Sequence, residues 1–151
     1  MLWTPKIRLV TVLCSLVFVI GTTLQNYVII DLDLIEASMR LKGVETGDAP
    51  AYLGALRLVG NVFIVGNALG LLVWFRRRWL FWPVLAVNAG QAFGVFVVPF
   101  EVHRAALAEH GWPGVLPSVV TDGGAVILSI ALIFAYVRSR RLTRTSDPVR
   151  L

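Results

Sequence analysis

The chain has one cysteine, Cys14, and it lies inside an apolar run. A lone thiol makes no intramolecular disulfide, no C-x-x-C pair and no thiolate metal cluster, so dithiol redox chemistry is excluded. Charge is scarce too: Asp, Glu, Lys and Arg make up 15% of the residues, against about 25% in soluble domains. No H-E-x-x-H motif occurs, and Gly123-Gly124 beside Asp122 has the pattern of neither a nucleophile elbow nor a phosphate loop. These absences leave no residue assigned to catalysis or to a metal, and no cofactor is expected.

Hydrophobicity takes the place of charge. With 57% hydrophobic residues and a mean hydropathy of +0.76, the chain reads as an integral membrane protein whose first partner is the lipid bilayer. Its net charge of +5 does not point to nucleic acid, because the basic residues gather beside apolar runs instead of forming a separate basic domain.

Four runs are long enough to cross a bilayer as helices: residues 9–30, 51–75, 79–100 and 115–137. Lys6 and Arg8 precede the first. Its apolar core is longer than the roughly 7–15 residues of a signal peptide, and Gly21-Thr22-Thr23-Leu24-Gln25 offers no A-x-A site, so a retained span is expected. Residues 31–50 are hydrophilic. There Leu32, Ile35 and Met39 recur at helical steps, Glu36 and Arg40 form an i,i+4 pair, and Gly43 supplies a stop, which predicts a short extracytoplasmic amphipathic helix on the membrane surface. Pro83 and Pro117 fall in the first turns of the third and fourth spans, where a missing N–H is harmless. Pro99 should kink or end the third, and residues 101–114 form a second outer loop that continues helically toward Gly111. The predicted fold is all-α: a single polytopic domain, residues 1–137, built as a four-helix transmembrane bundle, followed by a basic cytoplasmic tail over 138–151.

Orientation follows from Lys and Arg. With both termini in the cytoplasm of a plasma membrane, that side holds ten (Lys6, Arg8, Arg76, Arg77, Arg78, Arg138, Arg140, Arg141, Arg144, Arg150), against Arg40, Lys42 and Arg104 outside. Trp3, Trp74, Trp79 and Trp82 then fall at the inner boundary and Trp112 at the outer, as interfacial rings should. Gly66 and Gly70, with Ala86, Gly90 and Gly94, predict close packing of spans two and three.

Arg57 and Asp122 are the charges inside spans. At 1.5 Å per residue both lie about 10 Å from the outer starts of helices that run the same way, which predicts a level ion pair. Asn61 is one turn beyond Arg57, and Ser118, Asp122, Ala125, Ser129 and Tyr136 form one inward stripe. Gln25 and Asn26 of the first span and Gln91 of the third bring further amides. The expectation is an outer polar pocket of Arg57, Asn61, Asp122, Ser118, Gln25, Asn26 and Gln91, closed below by Ile64, Leu71, Leu128 and Leu132, in a non-enzymatic protein that binds a small molecule, lipid or ion there, alone or as a homo-oligomer. Two alternatives stand beside it: an accessory subunit whose ion pair is purely structural, and a small membrane enzyme using Asp122 or Glu101 as acid or base. Glu101, His103, Glu109 and His110 read as a solvated loop in preference to a metal site.

Overall fold

Thr4 opens the first helix: its hydroxyl accepts the Ile7 N–H at 3.3 Å and Pro5 follows in the first turn, where its missing N–H costs nothing. The structure, a computed structural model, describes residues 3–144, with backbone alone at Val95, Val97 and 142–144. Among them are six α-helices: α1 Pro5–Leu24, α2 Leu32–Lys42, α3 Ala49–Leu71, α4 Phe81–Val97, α5 Phe100–His110 and α6 Trp112–Arg144. A π-helical turn, Gln25–Ile29, prolongs α1 and closes with the Ile30 N–H on the Gln25 carbonyl at 2.9 Å. A 3₁₀ turn, Leu72–Phe75, prolongs α3.

Three stretches are long and apolar enough to cross a membrane: Pro5–Ile29, Ala49–Phe75 and Trp112–Arg141. The third expected span is shorter than predicted. α4 has 17 residues and stops at Val98, whose extended ψ of 121° is what a following proline imposes. Beyond Pro99 the chain restarts as α5, so the predicted outer loop is a helix of 11 residues. α6 is longer than predicted at both ends; it begins at Trp112, which places Pro117 inside it, and it carries Arg138–Arg141 as helix. The remainder of the expected tail, 145–151, lies outside the described residues.

The four longest helices stand at the corners of a square. α1 packs against α3 and α6, α4 packs against the same two, and α3 and α6 face each other across the diagonal. At one end α2 and α5 lie against each other and close the bundle. Asp31 caps α2 by accepting the Leu34 N–H at 2.9 Å, and Gly43 ends it with a φ of 75° that favours glycine. The Glu36–Arg40 pair is formed at 2.8 Å. The buried face of α2 is Leu34, Ile35 and Ser38, not Leu32, Ile35 and Met39. The shift has a cause: α5 covers Leu34 with Val102, Ala105 and Ala106, while Ile35 packs on Ile30, Ala49 and Leu53, so α2 is held by the neighbouring helices.

At the other end the core is Trp3, Phe18, Val73, Leu80, Phe81, Val84, Ala125, Leu128 and Leu132. Trp3 Nε1 donates to the Arg77 carbonyl at 2.9 Å, tying the N-terminus to the α3–α4 connection. Phe81 stacks on Tyr136 with centroids 5.4 Å apart, and Arg8 and Arg140 lie over Trp74 and Tyr136. Leu128 and Leu132 are buried as expected of a floor, whereas Ile64 and Leu71 are half-buried.

Small residues set how closely the corners approach, though not all where expected. Gly66 meets Val87 of α4, but Gly70 meets Ser15 of α1, and no atom lies within 4 Å of a Cβ placed on Gly94. The Gly66/Gly70 pair therefore serves two partners. On α6, a Cβ at Gly124 would lie 2.6 Å from the ring of Phe18, which is itself buried. Gly124→Ala should accordingly cost about 1–3 kcal/mol by overpacking, seen as a lower thermal midpoint of the detergent-solubilised protein. Phe18→Leu in the same chain should recover part of that loss; an unchanged midpoint in the single variant would show that α1 and α6 do not approach so closely.

Candidate functional site

The inward faces of the four corner helices can be read residue by residue. On α1 the face is Thr11, Ser15, Phe18 and Thr22, running into Gln25 at four- and three-residue steps; on α3 it is Leu53, Leu56, Gly60, Phe63, Asn67 and Gly70. On α4 it is Phe81, Val84, Asn88 and Gln91, and on α6 Ser118, Thr121, Ala125, Leu128 and Leu132. On α4 and α6 these faces turn polar toward the α2/α5 end, with Asn88 and Gln91 on one and Ser118 and Thr121 on the other. The π turn matters here because its extra residue presents Gln25 to α6 and Asn26 and Tyr27 to α3.

Gln91 is the meeting point. Its Oε1 accepts from Asn67 Nδ2 of α3 at 2.7 Å, its Nε2 donates to Thr22 Oγ1 of α1 at 3.3 Å, and it lines the same cavity as Asp122 of α6. Thr121 Oγ1 donates to Asp122 Oδ1 at 3.2 Å. Above this layer Gln25 Nε2 donates to Ser118 Oγ, joining α1 to α6. Asn26 Nδ2 donates to Asn61 Oδ1 at 3.2 Å and to the Arg57 carbonyl at 3.3 Å, and Tyr27 donates to the same Asn61 oxygen at 2.7 Å.

Beside Gln91 lies a cavity of about 250 Å³. Its polar wall is Thr22, Gln25, Asn26, Gln91, Thr121 and Asp122; its apolar wall includes Leu56, Val59, Phe63 and Val98, with Gly60 admitting the Asn26 side chain and Gly90 and Gly94 adding no bulk. Gly90 and Val59 are also exposed on the bundle surface, so the cavity reaches outward between α3 and α4.

Of the residues predicted to form one pocket, Gln25, Asn26, Gln91 and Asp122 line this cavity and Arg57, Asn61 and Ser118 do not. Ser118 is buried behind Gln25, and Asn61 is exposed. The predicted Arg57–Asp122 ion pair is absent: the Arg57 guanidinium lies 5.8 Å from the centroid of the Tyr27 ring, and Asp122 is met by Thr121. Equal depth does not bring the two charges together, because α3 and α6 are diagonal corners and Arg57 is on the flank of α3 that faces α1. Thr22, Asn67 and Thr121 complete the site. Their signal was in the spacing: Gly60, Phe63, Asn67 and Gly70 are one helical face, and Thr121 lies one turn beyond Ser118.

The loop carboxylates and imidazoles stay apart from this centre, on α5. Glu101 is half-buried in its first turn, Glu109 and His110 are exposed, and burial pushes the His103 imidazole below its usual pKa. Among the described residues no three His, Cys, Asp or Glu side chains come together as a metal site. Comparisons of the chain with protein-family models, with curated proteins and with solved structures return no match, so the geometry carries the functional argument.

Asn67 is 1% exposed, and its Oδ1 has no partner, so Gln91 is its one side-chain bond. Gln91→Leu should strand the Asn67 amide and destabilise the bundle by about 1–3 kcal/mol, while Asn67→Leu with Gln91→Leu should cost less than Gln91→Leu alone. Thermal unfolding of the two single variants and the double variant gives the coupling; strictly additive losses would mean that the two amides do not bond.

Proposed function

We propose that the protein is a four-span integral membrane protein with both termini in the cytoplasm, and that it binds, without catalysis, a small amphiphilic molecule in the cavity between α1, α3, α4 and α6. α4 serves as the fourth span: it packs between two long apolar helices, and the Arg78–Leu80 turn before it brings the crossing to about the 20 residues a bilayer requires. The excess of Lys and Arg beside the α3–α4 connection and the termini favours the cytoplasm for that end of the bundle, and the α2/α5 end then faces outward. Within the cavity, one observation carries the ligand class. A carboxylate and three carboxamides are gathered at one side of a chamber whose other side is apolar and glycine-relieved, the usual composition of a small-molecule pocket. Asp122 has acceptor capacity beyond its bond from Thr121, and no ion pair with it is formed among the described residues. A head that donates hydrogen bonds, an alcohol or an amine, on a short apolar body matches both walls. The reading of a bundle held by an Arg57–Asp122 ion pair loses its support, since those side chains have other partners.

Octylamine and octanol should raise the thermal midpoint of the purified protein and octanoate should not. Asp122→Asn should abolish the advantage of the amine over the alcohol, and Gly90→Leu, which fills the chamber, should abolish both shifts. Equal shifts with all three compounds in every variant would reject the cavity as the binding site. For orientation, reporter domains fused after Leu151 and inserted at Gly47 should signal cytoplasm and exterior respectively; two signals from one side would remove α4 as a span, and exchanged signals would overturn the assigned direction.

A further inference from the structure

Arg57 lies outside the cavity, and no carboxylate among the described residues neutralises it. It is eight residues from the start of α3, about 12 Å along the helix axis. Its Nε is buried without a partner, and its guanidinium has no carboxylate beside it among the described residues, the ring of Tyr27 being its neighbour at 5.8 Å. An arginine within a span is retained only with a partner or a route to one. Asn61, one turn further on the same flank, is exposed, and its Oδ1 is already taken by Tyr27 and Asn26. The unused donors on this flank are therefore N–H groups, those of the guanidinium and the Asn61 amide, while the Tyr27 hydroxyl gives its one hydrogen to Asn61 and holds that side chain in place. Below them on α1 and α3, Ile20, Leu24, Val62 and Val65 are exposed and apolar.

We infer that Arg57, Asn61 and Tyr27 form a binding site for a phosphate group, that of a membrane phospholipid whose acyl chain lies along the apolar surface between α1 and α3. The guanidinium fork matches phosphate oxygens in a way that no neighbouring side chain does, and the apolar residues continue in the direction an acyl chain takes. Asn26 connects this site with the cavity, since its amide bonds Asn61 and the Arg57 carbonyl from one side and lines the chamber from the other. The inference rests only on the membrane part of the proposed function, not on the cavity having a ligand.

The test is native mass spectrometry of the purified full chain with dioleoyl-phosphatidylglycerol, dioleoyl-phosphatidylcholine or dioleoylglycerol, which lacks phosphate. The two phospholipids should be retained and dioleoylglycerol should not. Arg57→Gln should lower phospholipid retention about five-fold, the worth of one basic residue near a lipid surface, and Arg57→Lys should lower it less. Should Arg57→Gln fail to fold, Asn61→Leu provides the second variant and should also reduce retention. Arg104→Gln, an exposed arginine on α5, should leave retention unchanged. Millimolar inorganic phosphate that displaces the lipid would support the phosphate site and assign it to the free anion; failure to displace supports the lipid. Equal retention of dioleoylglycerol, or equal retention by wild type and both variants, overturns the inference, as does an Arg57→Gln chain that passes from oligomer to monomer, since a second copy would then supply the missing acid. Octylamine shifts in the thermal midpoint are read separately, so failure here leaves the cavity standing.

Discussion

The carboxamide of Gln91 ties three corner helices together and borders the fourth. From α4 it bonds Asn67 on α3 and Thr22 on α1, and it shares a cavity wall with Asp122 on α6. In a hydrocarbon surrounding there is no apolar driving force between helices, and what distinguishes one rotation of a helix from another is close packing and polar bonds. Each such bond is modest, about 0.6 kcal/mol on average in measured cases. Their effect is to select: a helix turned by one residue would carry its amide or hydroxyl into lipid and leave Gln91 with an unpaired group.

Packing sets the distances within which that selection operates. Gly70 admits Ser15, Gly124 admits Phe18 and Gly66 admits Val87, so α1 is drawn against both α3 and α6 while α3 is drawn against α4. The square that results separates α3 from α6. It also explains why the cavity lies at the α3–α4 side, where Gly90 and Gly94 have no bulk to fill it. The two ends of the bundle complete the division of labour, an aromatic core around Trp3, Phe81 and Tyr136 at one and the α2/α5 layer at the other.

Much of this was legible before any coordinates. The apolar runs declare an all-helical chain, Asp31 and Gly43 bracket α2, and Pro99 marks the break before α5. Depth is legible in part: counting residues along spans puts Gln25, Asn26 and Asp122 in the same outer half, and with Gln91, expected nearer mid-membrane, they line one cavity. Azimuth is not. A span that is apolar all round lacks the polar stripe that identifies the outer face of a soluble helix, and one residue's choice rotates the reading by about 100°. Polarity alone points to Arg57 and Asn61 as the inward face of α3, whereas Gly60 and Asn67 hold that position. The same difficulty misplaced the face of α2, whose cover, α5, was expected as a loop.

The π turn at Gln25–Ile29 makes chain length itself a determinant of the site. One extra residue in that turn sets the phase between the lower part of α1, which is keyed by Ser15 and Phe18, and its upper part, which carries Gln25, Asn26 and Tyr27. Side chains in this segment can be exchanged for others of like size while the phase survives, but an insertion or deletion there turns every residue above it relative to α3 and α6 at once. Over evolutionary time such a segment should stay fixed in length, whereas an ordinary interhelical loop varies in length.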